Sequence, residues 1–320
     1  EYLSEVYYLQ RNYAESLKML RRILPLISDD QDKTNSINER LSVIFKNLFI
    51  KETDKELKPL SALALYDEFS DLTPVGPDGD VAIQKLAERM VSVDLLGRAS
   101  NLLEHQIKFR LKGEAAARVG ARLASIRLLD QTPSFALRAL DETSARDLPA
   151  QLEEERRLLK ARAYSQLNKP DDAIKTLAGL NTEMAHRLNV DVNWQAERWE
   201  DAAKAITPLL DYLLKKNKLV NEQGVVKYLD DETSDLILNQ SVAYILSGDL
   251  GAVKKLFQKY SSVMDDTKNS TLFRLITREP KAGQLADLQT LNDHVAEVDM
   301  FRNFLDTYRA NLTPQAAEGS

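Results

Sequence analysis

The sequence predicts an all-α chain that repeats one helix-turn-helix phrase, and three observations lead there. Gly and Pro number only 11 and 10 in 320 residues. The Ala, Leu, Glu, Lys, Gln and Arg that fill the stretches between them lose little freedom in a helix. Over 158–180 (LLKARAYSQLNKPDDAIKTLAGL) a helix with a small residue meets a turn at Asn168-Lys169-Pro170, and a second helix opens on Asp171-Asp172 ahead of Ala173. Aligning further copies on Ala173 places Ser16, Ala99, Ala136, Ala202 and Val253 at the same anchor, in steps of 83, 37, 37, 29 and 51.

Positions that did not define this alignment test it. Four residues after the anchors stand Leu20, Leu103, Leu140, Leu177, Ile206 and Phe257, all large and apolar. Twelve before them stand Ser4, Ala87, Ala124, Ala161, Val190 and Ser241, five of them small. Small residues let two helix axes approach, and a large one a turn later fills the space between them. The 37-residue steps suit one helix pair, the 83-residue step has room for a divergent pair, and the 51-residue step implies an insertion.

Taken in order, residues 1–70 are expected to form N-terminal helical repeat pairs. Within them 35–50 and 56–69 read as helices, with Leu41, Ile44, Leu48 and Phe49 at helical spacing. Residues 71–80 are a turn or linker, because 72–80 (LTPVGPDGD) is the strongest break in the chain; Asp80 is the expected N-cap of the next helix. Residues 81–214 hold further repeats, and 215–270 one repeat with an inserted segment, a continued helix with a loop around Gly224. Residues 271–312 are predicted as C-terminal capping helices, with a turn at 280–283 and a long helix over 285–312, followed by a disordered tail at 313–320. Opening on Glu1 without Met is the expectation for a piece of a larger protein, and the Ala- and Arg-rich helices have a bacterial style.

Composition narrows the function classes. A net charge of -6 does not suit nucleic-acid binding, which needs concentrated Lys and Arg. The short basic clusters Arg156-Arg157 and Lys215-Lys216-Asn217-Lys218 read as solvated surface. No apolar run approaches the roughly 18–20 residues that span a bilayer, so no membrane insertion is expected. Zero cysteines exclude disulfides, thiolate metal sites and a Cys nucleophile. His105, His186 and His294 stand far apart without metal spacing. The acidic runs at 153–155, 171–172, 230–232 and 265–266 read mostly as helix starts, where negative charge meets the positive end of the helix dipole. No catalytic constellation, metal site or cofactor site emerges, and the compartment is not legible.

The repeated phrase resembles the tetratricopeptide repeat (TPR). That family pairs a small residue in the first helix with an Ala in the second across a Gly-Asp-aromatic turn. Here the turns read Ser247-Gly248-Asp249-Leu250, Arg11-Asn12-Tyr13 and Arg198-Trp199-Glu200, and the likeness covers about two-thirds of the chain. The family's early Trp and Leu are replaced by Arg157 and Lys160, and by His186 and Asn189 in the next copy. The resemblance implies a right-handed α-solenoid of TPR-like pairs with a C-terminal capping helix, irregular in its spacing.

It also implies a non-catalytic scaffold whose first helices line a partner-binding surface for a protein or peptide. Counting from the packing positions, that surface would include Arg118, Ser125, Arg162, Gln166, Arg187 and Asp191. Trp194 fits either a groove beside Arg187, Asp191 and Gln195, or burial against the neighbouring pair. The alternatives are a helical accessory domain of a cell-envelope enzyme and a structural subunit of a large assembly; self-association fits the latter.

Overall fold

The computed structural model describes residues 2–27, 29–51, 57–74 and 76–277. The expected turn at 280–283, the helix over 285–312 and the tail at 313–320 lie outside the described residues. Fifteen α-helices form among those described, with one isolated antiparallel bridge between Val220 and Val226. None of these helices is long and apolar enough to cross a membrane.

The chain divides into two compact units, 1–167 and 168–320. The first holds α1 (Tyr2–Leu9), α2 (Tyr13–Ile23), α3 (Gln31–Phe49), α4 (Pro59–Glu68), α5 (Pro77–Val91), α6 (Leu96–Phe109), α7 (Gly113–Leu129), α8 (Pro133–Glu142) and α9 (Ala150–Gln166). The second holds α10 (Pro170–Leu177), α11 (Glu183–Gln195), α12 (Trp199–Lys216), α13 (Asp231–Ser247), α14 (Leu250–Met264) and α15 (Ser270–Thr277). Within the first unit α2 packs on α1 and α3, α5 on α3, α4 and α6, and α7 on α6, α8 and α9. Within the second each helix packs on the next, and α13 also on α15. This neighbour-on-neighbour packing is compatible with a helical repeat fold.

The aligned positions are the packing positions. All six anchors are buried, as are five of the six residues four places on, Phe257 being half-buried. Twelve places before the anchors, Ser4, Ala87, Ala124, Ala161 and Ser241 are buried. Val190, the one large residue in that set, is only half-buried.

The turns repeat a backbone conformation that the side chains do not announce. Five residues before each anchor the chain turns left-handed, at Arg11, Asp94, Gln131, Asn168, Glu197 and Gly248, with φ between 52° and 79°. The next residue in each case is the N-cap of the second helix: Asn12, Leu95, Thr132, Lys169, Arg198 and Asp249. In five copies its N–H donates to the carbonyl five residues back, for example Thr132 to Arg127 at 2.8 Å and Arg198 to Asn193 at 2.9 Å. This bond closes the end of the first helix. Glycine adopts the conformation without steric cost, but only one copy has it, so the other five side chains are held there by the packing on either side.

The unequal steps have local causes. The 83-residue step contains the divergent pair α3 and α4, where Phe49 meets Tyr66 edge-on at 5.7 Å. The 29-residue step spans the short helices α10 and α11, of 8 and 13 residues. The 51-residue step follows from an 18-residue α12 and a small hairpin in which Gly224 has φ 78°. The inserted segment therefore ends its helix at Lys216.

Three sequence expectations change. α5 begins at Pro77, so Asp80 lies in its first turn and is not the N-cap; Gly76 is, with φ 90°. Proline at the first helical position lacks only an N–H that the helix leaves unused. Asp80 instead accepts hydrogen bonds from Gln106 and Arg110 of α6 and its C-cap, both at 3.2 Å. Asp265 stands at the end of α14, not at a helix start, and pairs with Arg274 at 2.6 Å.

The largest change concerns Arg156, which is 7% exposed and not solvated. Its guanidinium donates to the Leu140 carbonyl at the end of α8 and to the Ala117 carbonyl in α7, each at 2.5 Å, and to Thr143 Oγ1 at 3.2 Å. The Leu140 carbonyl is one that a helix terminus leaves open, and these bonds together compensate for burying the charge. Burial holds the Arg156 pKa below its ordinary value, against the pull of Glu153 and Asp141. Gly120 completes the knot, because a Cβ there would overlap Thr143.

Candidate functional site

The site forms around α11, α12 and α13. In the other copies the residue twelve places before the anchor is small and buried. At the α11–α12 pair that residue is Val190, and it borders a cleft of about 190 Å³. Val190, Trp194, Ile206, Leu209 and Leu236 line the cleft together with the polar groups of Arg187, Asp191 and Asn239. Ile206 and Leu209 are buried from the α12 side, while Leu236 and Asn239 of α13 are half-buried.

Trp194 is 6% exposed and also borders the cleft, so its two sequence readings both describe it. Its ring meets Trp199 edge-on, with centroids 5.3 Å apart and planes at 80°. An aromatic pair in this arrangement contributes about 0.5–1.5 kcal/mol beyond area burial and fixes the ring that walls the cleft.

An ionic relay braces the three helices. Arg187 of α11 bonds Glu183 one turn earlier at 2.8 Å and reaches Glu232 of α13. Glu183 also accepts from Lys216 at the end of α12. Hydrogen bonds from Lys216 and then Arg187 hold the Glu183 carboxyl below its usual pKa, outweighing its desolvation. Burial opposes the charge on Arg187, yet the bonds to Glu232 and Glu183 prevail and hold its pKa above the ordinary value. The guanidinium is thus already paired with two carboxylates of the protein.

No family model and no curated protein matches the chain. The site is therefore read from its own geometry. An apolar wall beside a rim of both charge signs and an amide suits a neutral apolar group carried on a polar backbone. Among the described residues no three His, Cys, Asp or Glu side chains gather as metal ligands would. His105 packs on Phe109 at 4.6 Å and His186 on Tyr212 at 6.2 Å, both in aromatic contacts.

Of the residues named from sequence, the structure brings Arg187, Asp191 and Trp194 together at the cleft. Arg118 lies exposed on α7, paired with Glu114 at 2.5 Å, and Ser125 is half-buried on the same helix. Arg162 and Gln166 lie exposed on α9. Sequence reasoning missed Val190, Ile206, Leu209, Leu236 and Asn239 as lining residues. Val190 carried a signal, as the one large residue in a column of small ones. Leu236 and Asn239 did not, because the inserted segment separates them from the preceding copy.

Proposed function

We propose that the chain is a non-catalytic protein-interaction scaffold, built as a right-handed α-solenoid of tetratricopeptide-like pairs, and that a protein or peptide partner docks at the α11–α13 cleft. One observation carries the reading: Arg187, Asp191 and Trp194, named from the repeat's first helix, converge on a cleft beside Val190, the one large residue in a column of small ones. Six left-handed turns at one register support the repeat assignment. A rigid stack of helix pairs presents such a surface without needing a reactive group.

Affinity purification of the full chain from its native cells, wild type against Leu236→Arg, tests the proposal. A protein retained by the wild type and lost from the variant supports it. Identical sets of retained proteins for both, at equal helix content, would sink it.

A further inference from the structure

Resting on that reading of the cleft, we infer its ligand class: one uncharged apolar side chain of leucine or phenylalanine size, presented by an uncharged stretch of a partner's peptide chain. Size is the first argument. Small-molecule sites run to roughly 300–1,000 Å³. The cleft, at about 190 Å³, holds a single large side chain.

Charge is the second argument. Arg187 lies on the rim, but Glu183 and Glu232 already neutralise it, so it offers little to an acidic ligand. A free anion approaching this guanidinium would meet the two carboxylates that already bond its Nε and Nη2. The Asn239 amide supplies both a donor and an acceptor, which is what a peptide main chain presents at each residue.

Register is the third. The cleft lies beside Val190, the only large residue twelve places before an anchor, and the five other copies bury a small residue there. The cleft's wall therefore includes a residue that no other copy supplies at that position. A ligand of this kind has one anchoring residue and no periodic motif.

A phage-displayed library of random linear 12-mers, selected on the immobilised full chain and counter-selected on Leu236→Arg, tests this. Recovered peptides are then synthesised and titrated by fluorescence anisotropy, with the emission of the chain's only two tryptophans, Trp194 and Trp199, as an internal reporter. The expected peptides share one Leu, Ile, Met or Phe among uncharged neighbours. Replacing that residue by Ala weakens binding about tenfold or more, the loss expected for one buried apolar side chain. Leu236→Arg and the rim variant Asn239→Lys weaken it as much, with the helical circular dichroism unchanged.

Failure to enrich any peptide over the counter-selection overturns the inference, as does dependence on an acidic or basic residue. Peptides that bind regardless of both variants also overturn it, while leaving the scaffold reading standing. Absence of any protein partner in the purification overturns the scaffold reading itself.

Discussion

The Ser16 hydroxyl donates to the Ser4 carbonyl at 2.9 Å, joining the anchor of the first helix pair to the small residue twelve places before it. Both residues are buried, and the Ser4 hydroxyl has no hydrogen-bond partner among the described residues. The two serines therefore differ in what they contribute. Ser16→Ala should lower stability by about 1 kcal/mol through loss of one buried hydrogen bond. Ser4→Ala should hold or raise stability, because it removes a polar group buried without a partner. Chemical denaturation followed by circular dichroism separates the two outcomes.

Five left-handed turn positions carry side chains where glycine fits better. Gln131→Gly and Glu197→Gly should each raise stability by about 0.5–1 kcal/mol, since the relieved backbone strain exceeds the added unfolded-state entropy. Gly248→Ala should lower it by about 1 kcal/mol. Thermal melts of the three variants check the signs, and the opposite directions make the test internal.

Arg156 closes the α7–α8–α9 packing through three hydrogen bonds. Arg156→Ala leaves carbonyls of Leu140 and Ala117 without that donor and should cost about 1–3 kcal/mol, the range for leaving buried acceptors unpaired. Arg156→Lys, with a compact ammonium in place of the planar fork, should recover only part of this. Gly120→Ala should destabilise the same unit by forcing Thr143 aside. Denaturant midpoints for the three variants give the ranking.

The acid response of the second unit should involve Glu183. Its folded pKa is depressed, first by the hydrogen bond from Lys216 and then by that from Arg187. A depressed carboxylate stabilises the fold fully above its unfolded pKa, and that stability is lost as pH falls through the folded value. Glu183→Gln should therefore be less stable than the wild type at neutral pH. The gap should narrow only below the ordinary glutamate pKa of about 4.3. Urea midpoints across pH 3–7 measure it; a gap that stays constant over that range contradicts the assignment.

How much of this was legible in sequence depended on whether a feature was periodic. The anchors Ala99, Ala136, Ala173 and Ala202, and the apolar residues one turn on, were readable because helix packing demands a small residue and then a large one. The left-handed turns were not, because Arg11, Gln131 and Glu197 share no side-chain chemistry; their conformation is imposed by the helices they join. Charge and acidic neighbours suggest solvent for Arg156, whereas α9 turns that position towards the Leu140 and Ala117 carbonyls. At the cleft, the α11 residues followed from counting, but Leu236 and Asn239 come from a helix whose register is displaced by the 217–230 insertion. Val190 was visible as an exception, and only the fold shows that it borders a cleft.

Site-specific photo-crosslinking in cells tests the scaffold reading most directly, with a benzophenone amino acid placed at Asn239 on the cleft rim and, as a reference, at exposed Arg118. The account predicts a discrete adduct with one protein partner from position 239, abolished by Leu236→Arg in the same chain. Adducts of equal yield and identity from both positions, or an adduct at 239 untouched by that substitution, would contradict it.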